Sequence, residues 1–128
     1  MNILISPISQ TPIYEQIKMQ IKELVLSGKL KSGEQLPSIR LMAKDLKVGI
    51  ITVKRAYDDL CAEQITISLA GRGVFVADID QEKIKQIHLE MLFERLEEIT
   101  EFCNSTGISK HELEEQINKI YGGYGHAE

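Results

Sequence analysis

Residues 38 to 60 read SIRLMAKDLKVGIITVKRAYDDL, and two short apolar stripes of helical period lie inside them. In the first, Ser38 can cap a helix whose Ile39, Met42, Ala43 and Leu46 recur at spacings of three and four. In the second, Val53, Ala56, Tyr57 and Leu60 stand at i, i+3, i+4 and i+7. Lys47-Val48-Gly49 is all that separates them. Two short helices joined by a tight, glycine-bearing turn are the sequence form of a helix-turn-helix. With Val53 set inward on a wheel of about 100° per residue, Ile51, Lys54, Arg55 and Asp58 fall on the outward face.

Working outward, Thr11-Pro12 reads as a cap residue followed by a first-turn proline. Ile13, Ile17, Ile21, Leu24 and Val25 continue as an amphipathic helix that Gly28 closes. Beyond the helix-turn-helix, Ile65 to Leu69 and Val74 to Val76 flank Ala70-Gly71-Arg72-Gly73, which reads as a hairpin, or wing, with Arg72 at its tip.

From Asp80 the chain turns acidic and helical. A helix over about residues 81 to 103 carries Ile84, Ile87, Met91, Leu92, Leu96, Ile99 and Cys103 as one stripe, widened by Leu89, Phe93 and Phe102. Asn104 to Gly107 is expected to break it. Ser109 to Glu112 then forms a capping box for a last helix, with Leu113, Ile117, Ile120 and Tyr121 as its apolar side. Gly122 to Glu128 is expected to be a mobile tail. The expected fold class is therefore mainly α with a small β-hairpin. Residues 1–79 form a winged helix-turn-helix domain and residues 80–128 a helical segment. Two helices with this much apolar surface cannot cover themselves, and a symmetric second copy is the commonest cover. Ile84, Ile87, Met91, Leu92, Leu96, Ile99, Leu113 and Ile117 are the expected dimerisation residues.

Charge separates the two parts. The chain of 128 residues has a net charge of −4, but residues 1–79 hold ten basic and eight acidic side chains, and residues 80–128 hold five and eleven. Lys29 to Arg55 alone carries seven basic residues against Glu34 and Asp45. A basic patch on a helix-turn-helix is the electrostatic footprint of a nucleic-acid reader, and the acidity sits elsewhere.

Other classes find little support. The apolar run Ile3-Leu4-Ile5 stops at Ser6-Pro7, too short for a signal-peptide core or a membrane span, so a cytoplasmic protein with no membrane partner is expected. Cys61 and Cys103 form no CxxC pair and read as buried apolar residues. His88, His111 and His126 share no ligand-type spacing with them, and no nucleophile elbow or phosphate loop is present. No catalytic residue, metal or cofactor is expected, and the chain does not read as an enzyme.

Several blocks in the same order carry a family resemblance: Pro12 to Ile17, Ser27 to Leu30, Gly33 to Arg40, Thr52 to Leu60 and Gly71 to Val76. Over about residues 7 to 78 the chain resembles the N-terminal domain of GntR-family transcription regulators. Its short two-helix tail is similar to the YtrA subfamily. The resemblance implies a dimeric bacterial repressor, often acting on its own operon and on neighbouring transporter genes. It places Arg40, Thr52, Lys54, Gly71 and Arg72 among the positions that contact double-stranded DNA. Ser38, which can cap its helix and donate to a phosphate, joins them, as do the outward-facing Ile51 and Arg55.

The chain departs from the family pattern at Gly49-Ile50-Ile51, where polar residues usually enter the recognition helix, at Leu69-Ala70 in the wing, and at Gln64, where glycine is usual. Ile51 either packs on a thymine methyl or merely covers the turn. The missing polar residues also leave open a winged-helix module that binds another protein and no DNA. No feature of the sequence names an effector.

Overall fold

The computed structural model describes residues 1–123. The chain divides into two compact units, Met1–Gln81 and a second from Glu82 onward. The first holds three helices, α1 (Ile13–Leu26), α2 (Ile39–Leu46) and α3 (Ile50–Ala62), followed by strands β1 (Thr66–Leu69) and β2 (Gly73–Val76). The second holds α4 (Gln81–Thr106), whose first residue belongs to the first unit, and α5 (Lys110–Gly123). Mainly helical with one hairpin, this is the fold class expected.

α3 is the hub of the first unit, since both α1 and α2 pack on it. The largest fully buried side chains are Ile17 and Ile21 from α1, Val53, Tyr57 and Leu60 from α3, and Ile65 and Thr66 beyond it. Each large aliphatic or aromatic residue so buried stabilises the unit by roughly 1.5–3 kcal/mol. The buried set of α3 is the stripe its spacing predicts. Residues ahead of α1 are strapped to it by two glutamines one turn apart. Gln20 exchanges both amide hydrogen bonds with the backbone of Leu4, at 2.9 and 2.7 Å, and Gln16 does the same with Ser6, at 2.8 and 2.9 Å.

Several local expectations shift. Pro12, not Thr11, occupies the cap position of α1, and no side chain caps it. The Thr11 carbonyl instead accepts from the Gln16 side chain at 2.9 Å. α4 does not break at Asn104 but runs on to Thr106. The hydroxyls of Ser105 and Thr106 donate to the Phe102 carbonyl at 2.9 and 2.8 Å, so their polar groups are satisfied within the helix. Gly107, at φ 77°, ends it, and the Ile108 N–H closes back on the Cys103 carbonyl at 2.9 Å. The capping box forms as read: Ser109 N–H donates to Glu112 at 2.9 Å, and Glu112 N–H to the Ser109 hydroxyl at 3.1 Å. Gly122 and Gly123 belong to α5 rather than to a tail, and the rest of the expected tail lies outside the described residues. Cys103 is buried, whereas Cys61 is half-buried with its sulfur 3.1 Å from the Thr66 hydroxyl.

The wing is more than a hairpin. β1 and β2 pair antiparallel, with Thr66 opposite Val76 and Leu69 opposite Gly73. The other edge of β2 is covered by residues 33–36. Gly33 N–H donates to Val76 O at 2.9 Å, Val76 N–H to Glu34 O at 2.8 Å, and Leu36 N–H to Val74 O at 2.8 Å. A strand edge left open would expose unpaired backbone groups; here the segment leading into α2 satisfies them.

Candidate nucleic-acid interface

The connection between α2 and α3 is set by backbone chemistry. Ser38 stands in extended conformation, and its hydroxyl accepts from Leu41 N–H at 3.1 Å, which starts α2 one residue later. Lys47 adopts the left-handed conformation, φ 58°, and Val48 N–H bonds back to the Ala43 carbonyl at 3.0 Å, which ends it. Gly49 then precedes α3 without a side-chain cap. Three residues, Lys47 to Gly49, therefore separate α2 from the recognition helix.

Of the eight expected contact residues, Ser38, Arg40, Ile51, Lys54, Arg55, Gly71 and Arg72 are exposed, and Thr52 is half-buried. Ile51 is 83% exposed, beside a half-exposed Ile50. An apolar residue so open to water at the start of a helix gains nothing from the fold. Lys54 pairs with Asp58 one turn along, at 2.7 Å, both side chains open to solvent. Such a pair is worth little and exchanges readily for a phosphate. The Arg55 guanidinium lies 3.7 Å from the centre of the Tyr14 ring on α1. Stacking uses the face of the guanidinium and leaves its N–H donors, which lie in the plane, for an anion.

Three elements meet just before α2. The Tyr57 hydroxyl, from α3, donates to the Pro37 carbonyl at 2.8 Å, and burial pushes that phenol well above its ordinary value, so it stays a donor. The Gln35 amide donates to the carbonyl of Arg72 at 2.9 Å. α3, the start of α2 and the wing tip are thus tied within Gln35 to Ser38. Spacing alone marks out neither Tyr14 nor Gln35. Tyr14 lies on the apolar side of its helix, between Ile21 and Val25 on the wheel, where packing is the plain reading, and Gln35 lies in a stretch whose strand-like pairing depends on β2 being present. Among the described residues no group of three His, Cys, Asp or Glu side chains could hold a metal ion, and no helix is long and apolar enough to cross a membrane.

Residues 13–76 match the family described as bacterial regulatory proteins, gntR family. The chain belongs to the gntR family. It is 36% identical over 118 residues to the HTH-type transcriptional repressor YtrA of Bacillus subtilis (strain 168), covering 92% of this chain and 91% of that protein. A crystal structure of a transcriptional regulator from Oenococcus oeni superposes with a TM-score of 0.75 at 25% identity, covering 91% of this chain and 96% of that one. The DNA-binding domain of AraR, crystallised with its operator ORX1, has a TM-score of 0.52 at 28% identity and covers 58% of this chain and 92% of its own. As a gntR-family member the chain is a DNA-binding transcription regulator with a winged helix-turn-helix, not an enzyme. A winged helix that binds protein and no DNA is left unsupported.

Proposed function

We propose that the protein is a homodimeric repressor that places paired α3 helices on a near-palindromic operator, with the first unit reading DNA and the second holding two copies together. The observation that carries this reading is the exposure of Arg40, Lys54, Gly71 and Arg72 on a winged HTH whose segment Lys29 to Arg55 is strongly basic. In this reading Arg40 and Ser38 meet the backbone or a guanine edge at the start of α2. Thr52, Lys54 and Arg55 hold phosphates along α3, Ile51 packs on a thymine methyl, and Arg72 with Gly71 enters the minor groove.

The case for two copies rests on the second unit. α5 buries none of its described residues, and on α4 only Ile87 and Cys103 are buried. Leu89, Leu92, Phe93, Ile99 and Phe102 stay exposed. Ile84, Met91, Leu96 and Leu113 are half-buried, and Ile117 is exposed. A protein that operates as a monomer would not leave so long an apolar stripe in water. In this reading the protein acts in the cytoplasm on its own operon and on neighbouring transporter genes, as the resemblance to the YtrA subfamily implies.

Footprinting on the DNA upstream of its own gene, at two salt concentrations, tests the proposal. Two symmetry-related protected half-sites are expected, with affinity falling by about 10³–10⁵ between 50 and 200 mM salt if six to ten phosphates are contacted. No protection at low salt, or protection indifferent to salt, would overturn it.

A further inference from the structure

The wing tip is held by a side chain from outside the hairpin. Arg72 sits in a three-residue turn, and its own N–H donates to the Leu69 carbonyl at 2.9 Å. Its carbonyl accepts from the Gln35 amide at 2.9 Å. Both backbone groups of Arg72 are therefore engaged, while its side chain stands exposed. The seat of the Gln35 amide exists because residue 73 is glycine. A Cβ there would fall 2.6 Å from Gln35 Nε2, and the backbone at φ 120° is one that only glycine adopts without strain. Gln35 is itself fixed. Its neighbours Glu34 and Leu36 pair with β2, it bridges to Phe75, and three residues later Ser38 caps α2.

We propose that Gln35 is a positioning residue for DNA recognition: it locks the Arg72 peptide to the strand that runs into α2. The minor-groove arginine is thereby set at a constant reach from Ser38 and Arg40. A flexible tip would have to be ordered on binding, at a cost in affinity; the Gln35 hydrogen bond orders it beforehand. This rests on the operator-binding reading above.

The test is a double-mutant cycle on the footprinted operator duplex, using the full chain as wild type, Gln35→Ala, Gln35→Met, Arg72→Ala and Gln35→Ala with Arg72→Ala. Gln35→Met keeps the length of the side chain and removes the donor. Either Gln35 substitution is expected to weaken binding roughly two- to tenfold, the scale of one hydrogen bond, and to cost nothing further once Arg72 is alanine. Amide hydrogen exchange without DNA supplies a second readout. The Arg72 N–H should exchange faster in Gln35→Ala, while the Val76 N–H, bonded to Glu34, should not change. Equal affinity of wild type and Gln35→Ala, additive losses in the cycle, or unchanged Arg72 exchange would overturn the proposal alone. A wild-type protein that binds no duplex at low salt would overturn the operator reading with it.

Discussion

Two non-glycine residues hold the left-handed conformation where helices of the first unit end: Lys47 at φ 58° after α2 and Gln64 at φ 64° after α3. At Gln64 the geometry is that of a helix stop, with Gln64 N–H bonded to Cys61 O at 3.0 Å and Ile65 N–H to Leu60 O at 2.9 Å. A side chain there costs about 1–2 kcal/mol of steric strain, in a conformation that glycine adopts freely. Gln64→Gly is expected to stabilise the protein by about 0.5–1 kcal/mol once the larger freedom of glycine in the unfolded chain is subtracted; urea denaturation would show it. At Ile51 the expected contact is with a methyl group, so replacing operator thymines by uracil one at a time should weaken binding at one symmetric pair of positions. In Ile51→Ser the same replacement should have no effect. If uracil is tolerated everywhere by the wild-type protein, Ile51 only covers the turn. Ile51 was legible as outward-facing because a wheel needs only spacing. Gln35 was not, because its partner lies 37 residues away.

Among elements, α1 is clamped to the end of α3 by charge as well as by packing. Glu63 accepts from Lys22 at 2.8 Å and pairs with Lys18 at 2.9 Å. Burial pushes the Glu63 carboxyl up, but the hydrogen bonds and charges of Lys22 and Lys18 outweigh it and hold the group below its ordinary value. The hydrogen bond to Glu63 in turn raises Lys18. A carboxylate depressed in the folded state adds stability above its unfolded value near 4.5, and that stability is lost as pH falls through the folded value. Glu63→Gln should therefore cost about 1 kcal/mol near neutrality, the upper range for a partly exposed pair. The difference from wild type should shrink as pH drops below 4.5, which denaturation at several pH values would show. The helices themselves were legible in periodicity and caps. The third strand-like segment, 33–36, was not, since four residues ending in Leu36-Pro37 acquire a register only from β2.

For the whole molecule, the net charge of −4 is the sum of a basic reader and an acidic second unit. If that unit joins two copies, Leu92→Glu combined with Phe93→Glu should yield a monomer by sedimentation equilibrium, with the first unit's thermal transition retained. Operator protection should then be absent at concentrations that saturate the wild-type protein. A variant that stays dimeric would place the contact on another face. Phe93 and Phe102, each more than 60% exposed, served in the sequence only to widen the stripe of α4. Their exposure makes them the best probes of what covers it.

Periodicity, caps and charge sufficed for the winged helix-turn-helix, its outward face and the capping box, because each depends on residues within a turn or two of one another. The brace of Gln35 on Arg72, the stacking of Arg55 on Tyr14, the Glu63 clamp and the continuation of α4 to Thr106 depend on partners or backbone angles that exist only once the chain has packed. Short-range spacing constrains which face a residue takes; it says nothing of which distant polar group will stand opposite it.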